Sequence, residues 1–307
     1  RGVPVDPEHL LLTPGTSLAY WYAFSVLCNP GDEVLTPCPS YPLFDDIAKL
    51  ADVRLVPYRL DEVRGWAIDI EDLEARISPR TRAIVLISPH HPTGAVIGCD
   101  ELAAIAGLAA RSGIPIISDE VFGEFLFGLE ALPRAADTRA PLVITLSGFS
   151  KLFALPGMKL GWMALSGNAA LVGPALAALE RVSDTVLPVN EIVQAAVAGI
   201  FREGGDFLSH YRSEIARRRD AVMASLATSP RVSVVPPRGG FYAAVRVKTA
   251  GDDEDLAVRL LESAGCLVHP GFFYDLPPTH LVLSVISPPE ISQPAIARLL
   301  RQVEAGD

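Results

Sequence analysis

Residues 143–162 read VITLSGFSKLFALPGMKLGW, and they place one amine, Lys151, at the end of an apolar run that predicts a buried strand. The pair Pro156-Gly157 then breaks the chain. An ammonium group beside apolar residues is poorly solvated, so its pKa falls and it becomes a nucleophile that can form a Schiff base with a carbonyl. A lysine with its ammonium group in water is the alternative. Three other segments favour the nucleophile.

The first of these segments supplies a carboxylate. Residues 114–117 predict a strand, and Asp119 and Glu120 follow directly, where open α/β sheets usually bind ligands. A carboxylate at this place can pair with a pyridinium nitrogen and keep the ring an electron sink. Either acid can instead cap the next turn, and we prefer that interpretation for Glu120.

The second segment predicts a phosphate site. The turn Gly15-Thr16-Ser17 precedes apolar residues at helical spacing, so its backbone N–H groups and hydroxyls lie at a helix N-terminus. Ser17 as an ordinary N-cap is compatible with this role. Together, the lysine, the carboxylate and the phosphate turn fit the carbonyl ligand pyridoxal 5'-phosphate.

The third segment, residues 84–94, reads IVLISPHHPTG and predicts a buried strand followed by a rigid loop. Two prolines and a glycine restrict the loop backbone, so His90 and His91 should point in definite directions. Adjacent side chains diverge in extended chain, which argues against a shared metal site. We expect no metal.

In order and spacing, these motifs resemble those of the fold-type I pyridoxal-phosphate enzymes of the class I and II aminotransferase family. The resemblance extends over essentially the whole chain. It rests on residues 15–17, 39–42, 92–94, 119, 150–151, 236–242 and 269–273.

The resemblance implies a role for each matching residue. Lys151 would form the Schiff base and shuttle protons, Asp119 would pair with the pyridinium nitrogen, and Tyr41 would stack on the cofactor ring. Lys159 falls where the family has an arginine to the phosphate, and it keeps the charge without the planar two-pronged contact. The other phosphate-binding positions fall on Gly15, Thr16, Ser17 and Ser150.

Three positions near the cofactor depart from the family pattern. His91 replaces an asparagine that binds the cofactor's phenolic oxygen, and a histidine titrates near neutral pH. Phe122 replaces a tyrosine and lacks its hydroxyl group. Gly148 replaces a phosphate-binding serine, for which Ser147 is a possible substitute.

The substrate side departs further. The family places an arginine for the substrate carboxylate at the position of Val282. Either another cation such as Arg238 takes over, or the substrate lacks a carboxylate there. Arg238 as a solvated surface residue is the alternative. Tyr274 is predicted to line the substrate pocket, or else to pack in the core.

Composition indicates a globular enzyme. A chain of 307 residues can bury a large core and should form more than one domain. A net charge of −10 argues against a nucleic-acid partner. We expect no membrane partner, since no apolar run reaches the length of a membrane span. The cysteines match no metal or disulfide pattern, which favours reduced thiols in the cytoplasm: Cys28, Cys38, Cys99 and Cys266.

The alternation of strands and helices predicts an α/β three-layer sandwich with a mainly parallel sheet, plus a smaller α+β C-terminal domain. We place the large pyridoxal-phosphate-binding domain at residues 1–205, and a linking helix with the small domain at 206–307. Residues 1–5 read as the end of a helix and its turn, so the sequence resembles a family member that lacks its N-terminal arm. Predicted strands cover 33–36, 54–58, 83–88, 114–118, 142–146 and 159–165, and predicted helices cover 41–51, 99–112, 169–182, 206–228, 254–264 and 291–304.

The resulting hypothesis is a pyridoxal-phosphate-dependent aminotransferase that moves an amino group between a small amino acid and a 2-oxo acid, as a homodimer by resemblance alone. One alternative is another reaction of the same cofactor, such as β-elimination, decarboxylation or cyclisation. A second is a non-catalytic sensor domain of a regulator.

Overall fold

The computed structural model describes residues 5–248 and 251–305, and its main sheet has eight strands in the order β1-β8-β7-β6-β5-β2-β3-β4. The run β7-β6-β5-β2-β3 is parallel, whereas β1, β8 and β4 pair antiparallel. The mainly parallel sheet is thereby confirmed. The strands are β1 (Leu10–Thr13), β2 (Glu33–Cys38), β3 (Arg54–Asp61), β4 (Ala67–Ile68), β5 (Thr81–Ile87), β6 (Ile116–Asp119), β7 (Leu142–Gly148) and β8 (Gly161–Gly167).

Helices cover both faces of this sheet. On β5, Ile84 and Leu86 pack towards α3 and α4, while Val85 and Ile87 pack towards α1, α2 and α6. Burial on both faces explains why this strand is continuously apolar. The helices are α1 (Thr16–Leu27), α2 (Phe44–Leu50), α3 (Ile70–Ala75), α4 (Cys99–Ser112), α5 (Phe149–Leu152), α6 (Ala169–Val186), α7 (Glu191–Glu203), α8 (Gly205–Leu226), α9 (Asp253–Ala264) and α10 (Pro289–Ala305).

A second, antiparallel sheet follows α8, with the strand order β11-β12-β10-β9. One face packs on α8, α9 and α10, and the other contributes Ala244 and Val282 to the core of the main sheet. The split at residues 205 and 206 into two domains remains a prediction. The strands of the second sheet are β9 (Val232–Val234), β10 (Tyr242–Val247), β11 (His269–Pro270) and β12 (His280–Ser284).

Two glycines let the loop after β5 approach the start of β10. A Cβ atom on Gly94 would lie 2.2 Å from the Cβ of Pro237, and one on Gly239 would lie 2.5 Å from the Cγ of Pro89. The N–H groups of Arg238 and Gly239 donate to the Gly94 carbonyl at 2.8 and 3.1 Å. The Pro-Thr-Gly and Arg-Gly-Gly motifs therefore join the two sheets beside the loop that carries His91.

Several boundaries differ from the predictions. Helix α4 matches its predicted bounds, whereas β8 begins at Gly161 because Lys159 adopts a left-handed backbone with φ of 50°. Helix α7 was not predicted; none of its residues is buried, although Val193, Val197 and Ile200 pack against the cluster that contains Phe149. Asn190, whose side chain accepts from the N–H of Ile192 at 2.9 Å, is the N-cap signal that marks its start.

Residues 1–4 lie outside the described residues, so the structure does not address the expected loss of an N-terminal arm. In the described part of the chain, no helix combines the length and the apolar character that crossing a bilayer requires. Nor do three or more His, Cys, Asp or Glu side chains cluster there in a way that could hold a metal ion.

Candidate active site

A cavity of about 180 Å³, here called the site cavity, lies where the parallel strands end. Asp119 ends β6, Ile87 ends β5, and Lys151 follows β7, so three neighbouring strands contribute to it. Ligands of open α/β sheets bind at this edge. Most of the residues predicted from sequence line the cavity together: Thr16, Ser17, Tyr41, His91, Asp119, Phe122, Ser150 and Lys151.

Lys151 occupies the short helix α5 rather than the end of the strand itself. Its Nζ atom lies 5.9 Å from the ring centroid of Phe122, and the side chain is half-buried. Burial lowers the pKa of the Lys151 amine, because the surroundings solvate its charged form poorly. The predicted shift towards a neutral, nucleophilic amine is confirmed in direction.

Asp119 is a buried carboxylate held by two donors. The Tyr20 hydroxyl donates to Oδ2 at 2.9 Å, and the Val121 N–H donates to Oδ1 at 2.9 Å. Burial raises the pKa of Asp119 to about 6, although both hydrogen bonds oppose this. The neighbouring Glu120 forms an ion pair with Arg134, so the two adjacent acids have different partners.

Tyr20 was missed by the sequence analysis. It lies one helical turn after Thr16 on α1, so the helix that begins at the phosphate turn also delivers a hydroxyl to Asp119. Burial, followed by the Asp119 charge, raises the pKa of Tyr20, so the phenol stays a donor. The turn-spaced hydroxyls of Thr16 and Tyr20 are the signal that could have identified it.

His91 does not titrate near neutral pH, and that expectation was wrong. Burial lowers its pKa to about 3, and the positive charges of His90, Lys151 and His269 add to the effect. The ring is therefore neutral under physiological conditions. Its buried Nδ1 has no hydrogen-bond partner among the described residues.

Aromatic rings surround His91. Ring centroids of Tyr242, Tyr274 and Tyr41 lie 4.2, 5.3 and 5.6 Å from that of His91. Tyr242, a second residue that sequence reasoning missed, also lines the site cavity. His90 points elsewhere and has its Nδ1 2.9 Å from the Thr93 hydroxyl, which confirms that the two histidines diverge.

The predicted phosphate turn has the backbone that anion binding requires. Gly15, with φ of 113°, is the N-cap of α1, so Ser17 is not the N-cap and that alternative was wrong. The first N–H groups of an α-helix lack acceptors within the helix and attract anions. A Cβ on Gly161 would lie 3.1 Å from the Gly15 Cα, so a glycine is needed for this close approach.

Not every predicted residue reaches the site cavity. Ser147 is fully buried and Lys159 is exposed, and neither is among the lining residues. A Cβ on Gly148 would lie 3.0 Å from the Leu160 carbonyl oxygen, so the backbone leaves little room for the family's serine. Arg238 is exposed and lines a different cavity.

Val282 and Tyr274 are both buried in the core between the sheets. Tyr274 does not line the site cavity, but its ring contacts that of His91 and its hydroxyl lies 2.7 Å from His269 Nδ1. The side chain of Val282 on β12 carries no polar atom.

The donor set fits pyridoxal 5'-phosphate. The Lys151 amine, whose pKa is lowered by burial, can meet its aldehyde, a buried carboxylate its ring nitrogen, and the α1 N-terminus its phosphate. The orphaned Nδ1 of His91 is a buried polar atom that needs a partner. The residues present therefore match each polar group of this cofactor.

We expect Asp119→Asn to change how stability depends on pH. The folded pKa of about 6 exceeds the ordinary aspartate value of 3.8, so the folded state loses stability as pH rises between these values. This loss is about 3 kcal/mol, since one pKa unit corresponds to about 1.4 kcal/mol. Urea unfolding of the cofactor-free protein should show Asp119→Asn gaining that amount over wild type across this range.

Exposed Glu262→Gln is the control, and its difference from wild type should stay nearly constant across the same range. A constant difference for Asp119→Asn as well would contradict the raised pKa of the buried Asp119 carboxyl group.

Comparisons with known proteins agree with the site. The family model described as aminotransferase class I and II matches residues 1–299. An alanine aminotransferase of Mycobacterium tuberculosis is 33% identical over 290 residues, which cover 91% of this chain and 67% of the relative. A glutamate-pyruvate aminotransferase of Escherichia coli is 30% identical over 310 residues, covering 96% of this chain and 76% of that protein.

Solved structures show the same fold. The alanine aminotransferase of Pyrococcus furiosus superposes with a TM-score of 0.92 at 29% identity, over 99% of this chain and 78% of that one. An aspartate aminotransferase of Thermus thermophilus with maleate superposes with a TM-score of 0.88 at 28% identity, over 98% and 78%. The chain therefore belongs to the class I and II aminotransferase family, and it is a pyridoxal-phosphate-dependent enzyme that transfers an amino group between an amino acid and a 2-oxo acid.

Proposed function

We propose that this enzyme exchanges an amino group between a small amino acid and pyruvate or a similarly small 2-oxo acid. The observation that carries the proposal is the meeting of the desolvated Lys151 amine and the buried Asp119 carboxylate in one cavity of about 180 Å³. Relatives named for alanine, glutamate-pyruvate and arginine-pyruvate transfer support pyruvate as one partner.

The bound cofactor would supply an aldehyde for the substrate amine and a ring that withdraws electrons from the substrate Cα. Lys151, once displaced by that amine, would accept a proton from the substrate Cα and donate one to the cofactor carbon that carried the aldehyde. Its lowered pKa suits this role because a base must be neutral to accept a proton. Asp119 would hold a proton on the ring nitrogen, and Tyr20 would fix its orientation.

The remaining cofactor contacts are proposals from geometry and family pattern. Tyr41 would stack on the ring, and His91 and Phe122 would lie at its edge. The phosphate would bind at Gly15, Thr16, Ser17 and Ser150. Ser147 and Lys159 stay predictions from the family pattern, since neither lines the site cavity.

Transamination is favoured over the alternatives by the comparisons, whose named relatives are aminotransferases. Val282 and Phe122 were the features that suggested a lyase, decarboxylase or cyclase. The amine, the carboxylate and the phosphate turn are intact beside Phe122, and Val282 lies outside the site cavity, so neither departure removes a group that transamination needs.

We predict that Lys151→Ala and Lys151→Arg abolish amino transfer. A positioned proton-transfer group contributes about 10²- to 10⁴-fold to a rate, and nucleophilic capture of the cofactor is lost as well. Keto-acid release from alanine measures the rate, and the cofactor absorbance band reports capture. Lys49→Ala, which removes an exposed lysine, is the control and should keep both properties. Full turnover by Lys151→Ala would refute the proposal.

His91→Asn tests the neutral histidine. Because burial holds the His91 pKa at about 3, the ring does not ionise within the working range of the enzyme. The variant should therefore keep the inflections of the pH–rate profile between about pH 5 and pH 9, even where its rate falls. An inflection that disappears in His91→Asn would show that His91 titrates near neutrality.

We also propose that the enzyme is a cytoplasmic homodimer. The four free cysteines support a reducing compartment. Support for the dimer comes from α7, which has no buried residue and exposes Ile192 and Phe201 to 81% and 51%. The Phe201 ring lies 5.3 Å from that of Phe149, next to the Lys151 helix. A second copy that covers α7 would bury these apolar side chains beside α5, the helix that carries Lys151.

Sedimentation velocity tests the dimer. The wild-type enzyme should sediment with twice the 32.8 kDa of one chain, and Ile192→Glu should shift it towards the single-chain mass. Val63→Glu is the matched control, because Val63 is 96% exposed on the turn before β4. A wild-type single chain at micromolar concentration would contradict the proposal.

A further inference from the structure

His269 lies beside Val282 across the second sheet. The two residues are direct partners in the antiparallel pair β11–β12, so their side chains leave the same face about 5 Å apart. Both line a cavity of about 320 Å³ at the sheet edge, here called the edge cavity. Tyr242 lines the edge cavity and the site cavity alike, so the two spaces adjoin.

Tyr274 fixes the orientation of the His269 ring. Its hydroxyl lies 2.7 Å from Nδ1 of His269, and the two rings are stacked at 22° with centroids 6.0 Å apart. Burial raises the pKa of the Tyr274 phenol to about 12, and the charges of Tyr242 and Tyr41 add to this. A phenol that stays protonated can donate to Nδ1, which leaves the imidazole proton on Nε2.

The same tyrosine connects His269 to the site cavity. The Tyr274 ring lies 5.3 Å from that of His91, and its carbonyl accepts the N–H of Ser40 at 2.8 Å, next to Tyr41. Tyr274 therefore links His269 to two residues that line the site cavity, His91 and Tyr41.

Among the described residues that line it, the site cavity supplies no uncommitted lysine or arginine for a substrate carboxylate. Lys151 is the only residue of either type in that described set, and its amine is committed to the reaction. Arg238 lines another cavity, and the side chain of Val282 has no polar atom. A carboxylate that leaves water without a hydrogen-bond donor loses much of its binding energy.

We propose that His269 is a specificity-determining residue that donates Nε2–H to the α-carboxylate of the amino acid substrate, with Tyr274 as its positioning residue. This inference rests on the proposed function. It places the carboxylate contact on β11, directly opposite the apolar Val282 on β12.

Arg298 is the rival donor, because it also lines the edge cavity. It is exposed on α10, whose residues Leu299 and Leu300 pack against the opposite face of the second sheet from Val282. The Arg298 backbone therefore lies on the opposite side of the second sheet from Val282.

The test compares alanine with ethylamine, which is alanine without its carboxylate. Dissociation constants of both amines are measured on the holoenzyme from the cofactor absorbance. We expect His269→Ala to weaken the binding of alanine about 10- to 100-fold, as loss of a hydrogen bond to a charged group does, and to leave the binding of ethylamine unchanged. Tyr274→Phe should weaken the binding of alanine less. His269→Arg should restore the binding of alanine, and Arg298→Ala should bind it as the wild type does.

The outcomes separate the two hypotheses. A wild-type enzyme that converts no amino acid would refute the proposed function. A wild-type enzyme that is active with alanine, together with an unchanged preference for alanine over ethylamine in His269→Ala, would overturn the role of His269. Equal losses for both amines would indicate structural damage and would likewise overturn it, and a loss confined to Arg298→Ala would assign the contact to Arg298.

Discussion

The hydrogen bond from Tyr20 to Asp119 ties together the parts of the site that bind a cofactor. A carboxylate buried at the end of a central strand is costly unless donors compensate it. Here the donors are a hydroxyl from α1 and the backbone N–H of Val121. Because α1 begins at the Gly15 turn, one rigid helix sets both the phosphate end and the carboxylate end of the site. The distance between these two ends is therefore fixed by helix geometry rather than by loops.

Burial acts on the three titratable groups in the same sense. It raises the pKa of Asp119 and lowers those of Lys151 and His91, so each is driven towards its neutral form. The cavity therefore contributes few charged groups of its own. A cofactor that brings a ring nitrogen and a phosphate supplies the charges that Asp119 and the α1 N-terminus are placed to meet. The site is thus preorganised for a charged ligand and poorly stabilised without one.

The sequence predicted the parts of the structure that follow from local pattern. The parallel strands, helix α4 and the meeting of Lys151 with Asp119 all follow, because the carboxyl ends of parallel strands share one edge. Tyr20 and Tyr242 were missed because their roles depend on which element packs beside them. His91 was misjudged for a related reason, since only tertiary burial removes its ordinary titration near neutral pH.

The second sheet shows how a binding contact can change strand without changing place. Direct partners in an antiparallel pair share a face, so a donor moved from β12 to β11 still reaches the same space. An imidazole offers one N–H where a guanidinium offers a planar fork, and its ring must be oriented by a neighbour. The buried Tyr274 hydroxyl, 2.7 Å from Nδ1 of His269, provides that orientation. The exchange replaces a two-pronged contact to the carboxylate with a single N–H contact, opposite the apolar side chain of Val282.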